Sequence, residues 1–219
     1  MKREIQMTAD GSHTLFVPEM DEHYHSVNGA IQESLHVFIE AGLRQQKKEK
    51  IRVFEVGFGT GLNAFMTLVE CFRTGQSIEY YSVELYPLEE KLIKTLNYGK
   101  AISPEYANLF YALHDAEWDT DVVINENFVL HKIKGDSNTA NIPSGIDVIY
   151  FDAFAPDKQP EMWSQDIFNK LFEKSETGGI LTTYCAKGAV RRMMKEAGYS
   201  VERIPGPPGK REMLRARKG

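Results

Sequence analysis

Short apolar runs alternate with amphipathic stretches along this chain. Residues 2–17 alternate loosely between apolar and polar and are broken by Asp10-Gly11, a hairpin turn signal, so a small N-terminal β-hairpin is expected. Ile31, Leu35, Phe38 and Ile39 recur at helical spacing. A charged linker over residues 47–50 leads into the β-branched run 51–56, the first core strand. Beyond it, Phe65, Leu68, Val69 and Phe72 form the core-facing stripe of a helix. Residues 78–84 predict a second strand, and Pro87 suits the first turn of a helix over 88–96. The stretch 98–127, with short helical pieces and Trp118, is the least informative. Strands follow at 128–134 and 146–152, then a helix at 164–173, a turn at Gly178-Gly179, a strand at 180–184 and a helix at 187–197. Residues 199–204 and 212–217 read as a closing pair of strands across the Pro/Gly-rich 205–209.

Alternation of this kind predicts an α/β fold with a mostly parallel seven-stranded sheet and an antiparallel last strand. At 219 residues the chain suits one globular unit, divided here into an N-terminal extension (1–48) and a main domain (49–219). Apolar residues at 42% and charged residues at 26% fit a soluble protein. No apolar run nears the roughly 20 residues of a membrane span. Met1-Lys-Arg-Glu begins no signal peptide, and Cys71 and Cys185 form no CxxC, so a cytoplasmic protein without disulfides or zinc is expected. His23 and His25 stand beside Asp21 and Glu22, but no second cluster accompanies them, and no metal is expected. The net charge of −5 is unevenly spread: residues 184–219 hold ten Lys/Arg against three Asp/Glu. That asymmetry suits either a polyanion-binding face or a merely solvated basic helix and tail.

The chemistry gathers at predicted strand ends. Gly57, Gly59 and Gly61 follow Glu55 as G-x-G-x-G, not as the dinucleotide G-x-G-x-x-G, and lie where open α/β sheets bind ligands. This spacing resembles motif I of the S-adenosylmethionine-dependent methyltransferases; a plain turn is the alternative. Glu84 ends the second strand, where a carboxylate can accept from both ribose hydroxyls or simply sit in solvent. Asp136 follows the third strand at a position that often holds adenine, and Asp152 follows the fourth. Asp152 and Phe154 have the makings of an amine-methylating site. The carboxylate accepts N–H bonds and orients the lone pair, and the ring stabilises charge developing on nitrogen. Alternatively, Asp152 caps a turn and Phe154 is core.

The run from Asp152 to Trp163, Asp-x-Phe-Ala-Pro-x-Lys-x-Pro-x-Met-Trp, resembles the methyltransferase domain of the MnmC family, which modifies the tRNA wobble uridine. So do residues 54–63, Gly188-Ala-Val-Arg-Arg192, Lys210-Arg-Glu-Met-Leu214, and Tyr24-His-Ser26 with Gly29 and Glu33. The resemblance implies a class I methyltransferase with a Rossmann-like fold. S-adenosylmethionine would be held by Glu55, Gly57, Gly59, Gly61, Asn63, Glu84, Asp136 and Asp152. The implied reaction is methylation of 5-aminomethyl-(2-thio)uridine at position 34 of tRNA, with Asp152 and Phe154 catalytic and S-adenosylhomocysteine released. The implied partner is the tRNA anticodon stem-loop, met by Pro156, Trp163, Lys187, Arg191, Arg192, Lys210 and Arg211, with aromatics of the 154–163 loop stacking on an unpaired base. The chain lacks the family's FAD-dependent domain, so methylation alone is expected of it. One departure is Tyr184-Cys-Ala-Lys187, where the bifunctional members have a Phe-Thr-Ser-type run. Two rival readings stand beside this one: an aminopropyltransferase of the spermidine-synthase type, and a cofactor- and RNA-binding module without chemistry.

Overall fold

The computed structural model describes residues 1–219. The expected N-terminal hairpin is part of a three-stranded antiparallel sheet, β1 (Glu4–Met7), β2 (His13–Val17) and β3 (Glu22–His23). Asp10 closes the β1–β2 turn by accepting from Thr8 Oγ1 (2.7 Å) and Ser12 N (3.0 Å), while Gly11 takes a positive φ of 80°. The same carboxylate accepts from Gln32 N at 3.0 Å, which ties the turn to α1 (Ala30–Ser34). The helix runs on as a π-helical turn, Leu35–Glu40, whose Phe38 and Ile39 are buried.

The main sheet has eight strands: β4 (Lys50–Val56), β5 (Ser77–Glu84), β6 (Asp121–Asn125), β7 (Phe128–Lys134), β8 (Ile146–Phe151), β9 (Ser175–Thr183), β10 (Ser200–Pro205) and β11 (Glu212–Arg217). Their order is β10-β11-β9-β8-β4-β5-β7-β6. The neighbours from β9 through β7 run parallel, and β11 is antiparallel to both strands beside it. The expected count of seven is therefore short by one. The addition is β6, an antiparallel edge strand in the stretch read as helical pieces. It is only half-buried and exposes Val123, so its period-two signal is faint.

Helices α2 (Leu62–Thr74), α3 (Glu90–Ile93), α4 (Tyr98–Ile102) and α5 (Ala107–Asp115) lie toward one face, with α6 (Gln165–Lys174) and α7 (Gly188–Ala197) on the other. Both faces of β4 are buried: Ile51 and Val53 join one core, Phe54 and Val56 the other. Such double burial explains the continuous apolar run that marks this strand in the sequence. Leu15, Ala30, Val37 and Phe38 belong to the same core as α2, so the N-terminal segment packs onto the sheet domain. No helix is long and apolar enough to cross a membrane.

Three local expectations need correction. Phe72 is 39% exposed and stacks on Tyr106, ring centroids 4.1 Å apart, instead of facing the core. The helix expected over 88–96 contracts to α3. Gly178-Gly179 is no turn but an irregular stretch inside β9, where Gly178 takes φ 79° opposite a register shift in β8.

Candidate active site

Strand order reverses between β4 and its neighbours β5 and β8, and a crevice opens beyond their carboxyl ends. The loop leaving β4 turns back on itself: Gly57 N and Phe58 N both donate to Val83 O, at 3.0 and 3.2 Å. Gly57 takes φ 90°, and a Cβ there would sit 3.1 Å from the Asp152 carbonyl oxygen. At Gly59 a Cβ would press on the Tyr24 ring at 3.2 Å. Glu84, at the end of β5, accepts from Gly59 N (2.9 Å) and Tyr86 N (2.7 Å), which locks its carboxylate beside the loop. The cleft so formed has a volume of about 460 Å3. Gly57, Gly59, Asn63, Glu84, Asp136, Asp152, Phe154 and Lys210 all line it.

Asp152 Oδ2 accepts from Asn63 Nδ2 at 2.8 Å, and Oδ1 takes no hydrogen bond from the chain. Burial, helped by the charge of Glu33, raises the Asp152 carboxyl to about 7 against the pull of the Asn63 hydrogen bond and Lys210. Phe154 meets Tyr24 edge to face, centroids 5.1 Å apart. Lys210, in the β10–β11 loop, reaches over the cleft, with Nζ 2.9 Å from Glu33 Oε1 and 3.8 Å from the Tyr184 ring centroid. The other Glu33 oxygen accepts from Ser26 N at 2.8 Å, and Tyr184 OH donates to Ala153 O at 2.8 Å. The N-terminal segment, the last hairpin and the loop after β8 therefore meet above Asp152. His25 anchors this roof: Nε2 pairs with Thr60 Oγ1 at 2.9 Å, and burial holds the ring near 4, hence neutral.

Several expected contacts are not made here. Glu55 does not line the cleft; it is fully buried beneath the loop, where Oε2 accepts from Ser82 Oγ at 2.7 Å. Gly61 also lies outside, and its missing side chain makes room for His114, whose Nε2 would be 2.7 Å from a Cβ. Trp163 cannot stack on a base. It is buried against Phe151 and Phe168, and its Nε1 donates to Phe154 O at 2.8 Å, so it braces the 154–163 loop from behind. Pro156 is half-buried outside the cleft wall, and Lys187 is ion-paired to Asp157 of the same loop. Arg192 and Arg211 are exposed beyond the cleft wall, and Arg191 is half-buried with its Nε unpartnered. Sequence reasoning did not assign Tyr24, His25, Glu33 or Tyr184 to the site. Tyr24, His25 and Glu33 come from the N-terminal segment, and no spacing rule places a segment of that kind over distant strand ends.

A glycine cradle, a carboxylate beside it and apolar walls from Leu85 and Met162 suit an adenosyl group bearing a sulfonium. The model of a family described as S-adenosyl-L-methionine-dependent methyltransferase matches residues 106–219. Over 217 residues the chain is 31% identical to the tRNA 5-methylaminomethyl-2-thiouridine biosynthesis bifunctional protein MnmC of Pseudomonas entomophila, covering 90% of this chain and 32% of that protein. The chain thus spans about a third of the length of the curated relatives it matches. Among solved structures, MNMC2 from Aquifex aeolicus superposes with a TM-score of 0.83 and 27% identity, over 99% of this chain and 70% of that one. Spermidine synthase from Thermotoga maritima reaches 0.55 at 10% identity, a likeness of fold alone.

Proposed function

Because this chain belongs to the S-adenosyl-L-methionine-dependent methyltransferase family, we propose that it is a cytoplasmic enzyme that methylates the exocyclic amine of 5-aminomethyl-(2-thio)uridine at position 34 of tRNA. The observation that carries this reading is Asp152, a half-buried carboxyl on the cleft wall with one oxygen held by Asn63 and the other unpaired beside aromatic rings. The relatives named above, proteins of tRNA 5-methylaminomethyl-2-thiouridine biosynthesis, supply the substrate class.

In this reading Gly57, Gly59, Glu84 and Asp136 hold the cofactor, which when bound supplies the electrophilic methyl group. An aliphatic amine arrives as an ammonium at neutral pH. Asp152 Oδ1 takes one of its protons: the N–H bond breaks, its electron pair stays on nitrogen, and an O–H bond forms. Raised to about 7, Asp152 is a better acceptor than an ordinary aspartate yet still substantially ionised. Asp152 passes that proton to water, and the carboxylate so restored accepts an N–H of the free amine, which aims the lone pair. The faces of Phe154 and Tyr184 stabilise the charge that returns to nitrogen on methylation, and the product departs as a secondary ammonium. Residues 1–48 act as an extension that roofs the main domain, 49–219.

The test counts labelled methyl transferred to three acceptors: tRNA bearing the aminomethyl uridine, the same tRNA without it, and putrescine. Transfer to the first alone is expected. Transfer to putrescine, or none to any acceptor, would overturn the reading.

A further inference from the structure

Behind Asp152, three buried polar atoms have no hydrogen-bond partner: Tyr80 OH, Glu55 Oε1 and Asn63 Oδ1. They gather around one carboxyl. Besides Ser82, the groups acting on Glu55 are Asp152, Asn63 and Tyr80, and none is cationic. Tyr150 of β8 stands near as well, with its hydroxyl paired to Thr67 Oγ1 at 3.1 Å. Asn63 spends its amide nitrogen on Asp152 Oδ2 at 2.8 Å, while its oxygen, on a residue that neighbours Glu55, is buried without a donor. An ionised Glu55 would leave Glu55 Oε1 and Asn63 Oδ1 as two buried acceptors with nothing to accept from. One proton on Glu55 Oε1 resolves the conflict. Its O–H can then donate to Asn63 Oδ1, and the Tyr80 hydroxyl stands close by. Turning the amide over does not remove the need, since its oxygen would then face Asp152. An amide bridging two carboxyls holds one proton in either orientation. The surroundings choose where it resides: Glu55 has no exposure, whereas Asp152 lines the cleft and feels Lys210.

We propose that Glu55 is a neutral positioning residue whose carboxylic proton, bonded to Asn63, makes Asn63 a fixed donor to Asp152 Oδ2 and so keeps Oδ1 turned to the substrate amine. Donors then run one way, from Glu55 to Asn63 to Asp152. Burial, which pushes the Glu55 carboxyl up to about 8, acts in the same direction. The positioning role rests on amine methylation at Asp152; the protonation of Glu55 does not.

Infrared difference spectroscopy of the native chain against Glu55→Gln reads the acid without any substrate. Asp152, raised to about 7, contributes to both chains and cancels, so a protonated carboxyl C=O band left in the native-minus-variant difference at pH 7 is expected to belong to Glu55; a difference with no such band would overturn the proposal. Turnover tests the positioning. Removing one buried donor with Glu55→Ala is expected to lower kcat roughly ten- to a hundredfold, and Glu55→Gln, a donor of the same shape, to restore it to within about threefold. The native chain is expected to lose turnover as pH climbs through about 8, and the Gln variant to lose that decline. A Gln variant that fails to fold, or folds with turnover as low as the Ala variant, would overturn the positioning role. If no acceptor is methylated, the functional reading fails while the infrared band still decides the state of Glu55.

Discussion

At Asp152 burial and charge work against each other. Desolvation favours the neutral acid, yet proton abstraction needs the carboxylate, so kcat/KM is expected to rise as pH climbs through about 7. Lys210 holds that value down, so Lys210→Met should move the rising limb to higher pH; an unmoved limb would disconnect Lys210 from Asp152. Asp152→Asn keeps the shape and loses the acceptor, and kcat is expected to fall roughly 10²- to 10⁴-fold with cofactor affinity little changed. Stability gives a second readout. The folded carboxyl sits above its ordinary 3.8, so between about 4 and about 7 folding takes up a proton, and the native chain loses stability as pH rises through that window. The Asn variant should therefore gain stability relative to the native chain from pH 4 to pH 8, by a few kcal/mol at most. That Asp152, Phe154 and Glu84 would meet at one cleft was legible because each ends or follows a predicted strand. Trp163 was misread because an aromatic in a loop motif looks the same whether it braces the loop or faces solvent.

The elements that shape the cleft differ in how far their sequence betrays them. The β4–α2 loop announces itself, since Gly57 at φ 90° and Gly59 at φ 50° occupy backbone conformations that residues with a Cβ rarely take. Gly57→Ala should cost about 1–3 kcal/mol in strain and, by pushing on the Asp152 carbonyl, weaken cofactor binding measured by calorimetry. An Ala variant with native affinity would show that the backbone approach there is not needed. Helix α7 carries Arg191 and Arg192 in its first turn, beyond the carboxyl end of β9. If the proposed tRNA reading holds, losing the charges of Arg191 and Arg192 should weaken tRNA binding by roughly tenfold or more at low salt. Arg191→Ala with Arg192→Ala is thus expected to raise the KM for tRNA and leave that for the cofactor; equal changes in both would remove α7 from the RNA face. The N-terminal roof was the least legible part, because its contacts through Glu33 and His25 to Lys210 and Thr60 span long sequence separations and carry no periodic signal.

For the whole molecule, the order of strands and helices followed from alternation of period two and period 3.6, and the parallel core was readable because both of its faces are buried. The eighth strand was not, since an edge strand with one solvated face lacks that continuous apolar run. Charge is divided as the proposed partner requires, with a basic surplus in residues 184–219 on a chain that is acidic elsewhere. All of these features converge on one claim, that a tRNA base amine is delivered to Asp152. The most direct measurement incubates the chain and its Asp152→Asn variant with S-adenosylmethionine and tRNA from a strain lacking this methyltransferase activity, then digests the tRNA and fragments the wobble nucleoside by mass. The expected result is one added methyl on the aminomethyl nitrogen with the native chain, formed at a rate at least about a hundredfold lower with the variant. A methyl on the ring, on the ribose or on another nucleoside, or equal methylation by the variant, would contradict the account.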